Sequence, residues 1–136
     1  SANGDINLFP IVEKIVEKAP KINGWSFVAF RQRLPESKVK GMILKTDEFV
    51  LNPNEIKFKP ITNGEDLEMV IFAKDVSEQN RNQIAFGCLM LIDNILGEYD
   101  AVKKIKGYDI QNLSSNNKDL KSLTEIAKYV DDFYKN

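Results

Sequence analysis

The stretch Asn63–Leu96, NGEDLEMVIFAKDVSEQNRNQIAFGCLMLIDNIL, decides the fold. Asn63-Gly64 is hairpin chemistry, since tight two-residue β-turns need positive φ and these residues tolerate it. The turn opens onto Leu67–Ala73, where Leu67, Met69 and Ile71 fall on one face and Val70 and Phe72 on the other, the strongest strand pattern in the chain. From about Glu78 to Leu96 the period becomes helical. Ile84, Cys88, Leu91, Ile92 and Ile95 centre an apolar arc, which Phe86 and Met90 widen until most of the circumference needs shelter. Fully burying such side chains stabilises by about 1.5–3 kcal/mol each, so this helix is expected to organise the core. Gly87 at its middle permits close approach of a second element.

Upstream, Leu8, Ile11, Val12, Ile15, Val16 and Ala19 recur at helical spacing, with Glu13, Lys14, Glu17 and Lys18 opposite. Asp5 or Asn7 can cap this helix, Pro10 fits only its first turn, and Pro20 closes it. Trp25–Arg33 alternates and is apolar on both faces at its start, which predicts an interior strand that carries Arg31 and Arg33 on one face. Val39–Lys45 and Glu48–Leu51 predict short strands. Ile56–Phe58 begins another, which Pro60 pushes towards an edge or its own end. Downstream, Gly97 breaks the long helix, a short turn runs through Val102 and Ile105, Gly107–Leu113 alternates as a strand, and Lys118–Tyr134 predicts a last helix. The expected fold is one α+β domain over residues 1–136, with a single antiparallel sheet of about five strands. Two long helices and the N-terminal helix would pack against it.

Composition removes whole classes of chemistry. With no histidine among its 136 residues, the chain has no Ser-His or Cys-His nucleophile pair and no histidine metal ligand. Its one cysteine, Cys88, cannot form an internal disulfide and reads as a small buried hydrophobe, which points to the cytoplasm. The formal net charge is −1, with acids interleaved among the bases, so no nucleic-acid surface is expected. Neither a Gly-rich phosphate loop nor a nucleophile elbow can be written from the seven glycines. No apolar run is long enough to cross a bilayer, and the N-terminal helix lacks the basic excess of membrane-surface helices, so no membrane partner is expected.

Two polar groups stand out. Asp93, Glu98 and Asp100 surround the break at Gly97 and could act as acid, base or oxygen ligands to a divalent cation. Arg31 and Arg33 could hold a carboxylate or phosphate through their planar forks, or pair with these acids across the junction. The pairing is the plainer expectation, because motif-free carboxylate clusters are common in folded domains.

The segments FPIVEKIVEKAPKINGWSFVAFRQR, residues 9–33, and LIDNILGEYD, residues 91–100, resemble a family of bacterial domains of unknown function. That family carries G-W-x-F-x-A-F-R-Q-R and L-D-N-x-L-G-E-Y-D segments, and Ile92 stands where it has leucine. The resemblance implies a bacterial source and a longer parent protein, with this domain as its C-terminal part. It implies no activity. The Asn3-Gly4-Asp5 turn, which reads as native strand-to-helix chemistry, agrees with an upstream segment.

The function expected from the sequence is a non-enzymatic, cytoplasmic interaction or regulatory module, with Arg31, Arg33, Glu98, Tyr99 and Asp100 as its polar patch. It would need no cofactor or metal, would meet a protein partner, and would be a monomer or weak homodimer. The alternatives are a carboxylate enzyme or metal site on Asp93, Glu98 and Asp100, and an immunity-type inhibitor of another protein.

Overall fold

The computed structural model describes residues 1–135. Its elements run α1 (Phe9–Glu17), α2 (Glu36–Val39), β1 (Leu44–Lys45), β2 (Val50–Leu51), β3 (Lys57–Asn63), β4 (Asp66–Ala73), α3 (Arg81–Leu96), α4 (Glu98–Lys103), β5 (Gly107–Asn112), β6 (Lys121–Ser122) and α5 (Ile126–Tyr134). The α+β class holds. The sheet differs from expectation: β1 and β2 form a separate two-stranded ribbon, while the main sheet has four strands in the order β5-β4-β3-β6.

The hairpin is where the sequence places it, with Asn63 opposite Asp66 and Gly64 at φ +64°. The β4–β5 pair is parallel, so the sheet is mixed. Helix length explains this. At about 1.5 Å per residue α3 retraces nearly the whole of β4, at about 3.3 Å per residue, so the next strand enters from the same end. Pro60 lies inside β3, yet β6 pairs only with Lys57 and Phe58, so the outer edge at Pro60 is free and its missing N–H breaks no bond.

One face of the sheet carries Phe58, Leu67, Met69 and Ile71, all 1% exposed or less, beneath α3 and α5. From α3, Ile84, Cys88, Leu91, Ile92 and Ile95 enter this core, and Leu123, Ile126 and Val130 complete it. The widened arc of α3 is the part that fails: Phe86 is 68% exposed, and Leu89 and Met90 also face out. The expected last helix begins later. Ser122 and Glu125 form a reciprocal capping box, and a strand and a 3-10 turn occupy Lys121–Glu125 before α5 starts. The S-x-x-E spacing carries that start, because it satisfies the first free N–H groups of the helix. Pro35 likewise starts a helical turn where the Val39–Lys45 strand was expected, leaving only Leu44–Lys45 extended.

The Trp25–Arg33 strand does not form. The segment runs irregularly beside the junction of α3 and α4, with Leu34 N–H donating to Asn94 O at 2.8 Å. Asp5 caps a 3-10 turn at Ile6–Leu8 that leads into α1, its Oδ1 accepting the Asn7 N–H at 2.9 Å. The N-terminal helix α1 itself has no side-chain cap at Leu8, and its apolar face is not seated on a sheet. Only Phe9 of α1 is buried. Among the described residues, no helix is long and apolar enough to cross a membrane.

Gly87 meets the β1–β2 ribbon. A Cβ there would lie 2.5 Å from Leu51 Cδ1 and 3.4 Å from Phe49 Cε2, so the ribbon's apolar side rests directly on the helix backbone. Gly87→Leu is expected to cost about 1–3 kcal/mol in urea unfolding through overpacking. Amide exchange should then accelerate at Leu44–Leu51 more than in β3 or β4. Uniform acceleration across both would show that the ribbon is not held at this contact.

Candidate functional site

Gly97 builds the polar group. At φ +86° and ψ 145° it ends α3, donating to Asp93 O at 2.9 Å, and restarts the chain as α4 one residue later. A residue with a Cβ is strained at that φ, although its Cβ would make only ordinary contacts with Arg33 Cγ and the Arg31 carbonyl. The restart turns Glu98 inwards and leaves Tyr99 and Asp100 on the surface of α4.

Glu98 is 1% exposed, and its carboxylate faces only neutral donors. Oε2 accepts Ala2 N–H at 2.9 Å, Gly4 N–H at 3.0 Å and the Ser1 hydroxyl at 3.0 Å, while Oε1 accepts Arg31 N–H at 3.3 Å. Its own backbone N–H donates to Arg31 O at 3.0 Å. Asn3 and Gly4, at φ +51° and +78°, curl the chain so that the N–H groups on either side of Asn3 converge on one oxygen. Burial pushes the Glu98 carboxyl up, but the donors from Gly4, Ser1, Arg31 and Ala2 outweigh it and hold the group below the ordinary glutamate range.

Arg33 is committed as fully. Nε donates to Leu96 O at 2.8 Å, Nη1 and Nη2 grip Asp131 at 2.9 and 2.8 Å, and Nη2 also reaches Asp100 at 2.7 Å. The bond to Asp131, strengthened by Asp100 and opposed by burial, raises the guanidinium above its ordinary range. Lys104 Nζ takes the other Asp100 oxygen at 3.3 Å. Arg31 sits 3.6 Å from Asp93, whose carboxyl is raised by burial against the pull of that arginine. Tyr99 stacks within an aromatic trio, 5.8 Å from Phe9 and 5.5 Å from Phe30.

The five residues of the expected patch therefore meet, and they bring Asp131, Phe9 and Phe30 with them. Those three were not singled out from the sequence, because their contacts join segments far apart in the chain. The depression between Arg31, Arg33 and Asp100 is shallow, at about 290 Å³, and Arg33 and Asp100 within it are already paired with each other, with Asp131 and with Lys104. Asp93, Glu98 and Asp100 do not converge on a shared space. Among the described residues no group of three acids, cysteines or histidines is placed to hold a metal ion. Cys88 is fully buried and its thiol is pushed up to about 12 by burial, so it has no nucleophilic form near neutral pH.

What this arrangement does is mechanical. A single carboxylate binds Gly4 and Arg31, so residues 5–30 form an arm closed at its base, and Phe9 and Phe30 pack together at 4.4 Å just above that closure. The class so defined is a two-layer α+β domain carrying a pinned N-terminal arm. Comparison with family models, with curated proteins and with solved structures finds no match.

Because the folded Glu98 carboxyl lies below its unfolded value of about 4.3, its contribution is complete above that pH and is lost as pH falls through the lower folded value. Glu98→Gln puts an NH2 donor among donors and Glu98→Ala removes the acceptor altogether. Each is expected to cost about 3 kcal/mol or more at pH 7, since up to four hydrogen bonds to a charged group are lost. Urea unfolding should show the gap between native chain and Glu98→Gln narrowing as pH drops below 4. A gap independent of pH would mean that the buried carboxylate is not what holds the arm.

Proposed function

We propose that the chain is a non-enzymatic interaction module and that the docking surface is its N-terminal arm. The polar patch first read from the sequence serves as the arm's anchor. The observation that carries this reading is the arm's uncovered apolar face. Trp25 is 74% exposed, Ile15 64% and Val28 57%, and Ile11 and Phe27 are also exposed. With Ile6, Leu8 and Ile22, eight large hydrophobic residues between positions 6 and 28 are exposed. Evenly scattered exposed hydrophobes need no explanation, but these lie in one stretch of chain held out by a dedicated anchor.

Chemistry at the anchor would need free polar groups. Each carboxylate there already has its donor or cation, and Arg33 has no nitrogen left for a ligand. The commitment of these groups supports a scaffold role for Arg31, Arg33, Glu98, Tyr99 and Asp100.

The test separates arm from anchor. Ile11→Ser with Trp25→Ser removes exposed apolar surface, and stability is expected to change by no more than about 0.5 kcal/mol. The same variant should lose whatever protein the native chain retains when used as bait in its own cells, whether another copy or a different chain. Arg31→Ala should keep it. Retention by the arm variant together with loss on Arg31→Ala would move the docking surface to the polar patch.

A further inference from the structure

The hydrophobic core closes without the arm. It runs from Val39 to Val130, with Leu34 the first residue packed against it, and it takes nothing from residues 1–33. In that stretch only Ala2 and Phe9 are buried, and Phe9 lies apart from the core, in the nest it makes with Phe30 and Tyr99. Among the described residues, no hydrogen bond and no ion pair joins residues 5–30 to residues 34–135. The arm is held at two adjoining places. One is the Glu98 carboxylate, which takes Gly4 from one end and Arg31 from the other. The other is the nest, where Phe9 from one end meets Phe30 from the other, with Lys103 Nζ 5.7 Å from the Phe9 ring centroid.

Both fastenings bridge the two ends, so neither end leaves without loosening the other. The helix cannot substitute for them, since α1 has nine residues, below the roughly 12–15 under which an isolated helix is marginal in water. Beyond the arm the chain is fixed again. Arg33 Nε donates to Leu96 O and Leu34 N–H to Asn94 O, both at 2.8 Å, whereas the Gln32 side chain bonds only to Phe30 O within its own segment. We infer that residues 1–31 are a latched arm, which opens about Gln32 as one cooperative unit while the body stays folded. Segments held by few buried apolar contacts open in this way, at a free energy below that of global unfolding. Opening bares Phe9, fully buried in the closed chain, beside Phe30 and Tyr99, and so presents an aromatic surface that the closed chain lacks. Latch and docking surface are separate properties of the arm, and the latch is read on the chain alone with no partner present.

Native-state hydrogen exchange of the full chain, followed by NMR over a series of low urea concentrations, reads the opening directly. Gly4, the α1 amides of Lys14 to Lys18 and Arg31 are expected to share one protection factor, about tenfold or more below those of β4 and α3. Their dependence on urea should also be shallower, because a sub-global opening exposes less surface. Releasing the latch supplies a second reading. In the double variant Phe9→Ala with Glu98→Gln, the helical Cα shifts of α1 should collapse to random-coil values, while the methyl signals of Ile71, Ile84, Ile92 and Ile126 keep their native positions. Arm amides that match β4 in both protection and urea slope would make arm and body one unit and overturn the inference. Distinct protections at Gly4 and Arg31 would overturn it too, since the two ends would then open separately. A double variant that keeps α1 helical, or one whose core isoleucines lose their native positions together with α1, counts against it equally.

Discussion

A carboxylate taken out of water and given no cation is normally costly, and proteins avoid it unless hydrogen bonds replace the lost hydration. Glu98 is such a group, and its donors come from the chain's own backbone at Ala2, Gly4 and Arg31, with the Ser1 hydroxyl added. The consequence is topological. One side chain on the first turn of α4 fastens both ends of residues 5–30, and everything displayed by that segment depends on the fastening. Neutral donors also make the fastening asymmetric in pH, since protonation removes the acceptor's charge without freeing a competing cation.

Around this point the protein places a second, charged tie. Arg33 spans Leu96, Asp100 and Asp131 and so couples the end of the arm to α3, α4 and α5 together. Partial solvent exposure of the pair limits what it adds to stability, but its planar, bidentate grip fixes orientation. The core beneath needs neither tie, because β3, β4, α3 and α5 bury their own apolar faces against one another. Fold and arm are separable layers of the design: hydrophobic burial makes the first, and polar satisfaction at Gly97 and Glu98 positions the second.

Much of this was legible from residue order. The Asn63-Gly64 turn, the alternation of Leu67–Ala73, the helical run ending at Gly97, the Asp5 cap and the close approach at Gly87 all follow from local rules. The pairing of Arg33 with Asp100 followed from charge and proximity to the helix break. The Ser122–Glu125 capping box was present in the letters and places the start of the last helix more accurately than hydrophobic period alone. Trp25–Arg33 misled for a definite reason. Alternating aromatic and β-branched residues describe a surface that fits a pleated sheet, but a strand also needs a neighbour to complete its ladder. The four-stranded sheet has its two edges at β5 and β6, and neither takes this segment.

The same limit separates what the chain's order determined by itself from what only the tertiary structure decided. Turn φ values, caps and periodicity depend on residues a few positions apart, so hairpin, helices and α+β class could be read directly. The parallel β4–β5 pair, the embrace of Glu98 by donors 67 to 97 residues away, and the outward face of α1 depend on which surfaces come to lie together. Glutamate in a sequence is equally a catalytic acid, a surface charge or a clasp. Its role here was fixed when folding surrounded it with N–H groups and left it no water.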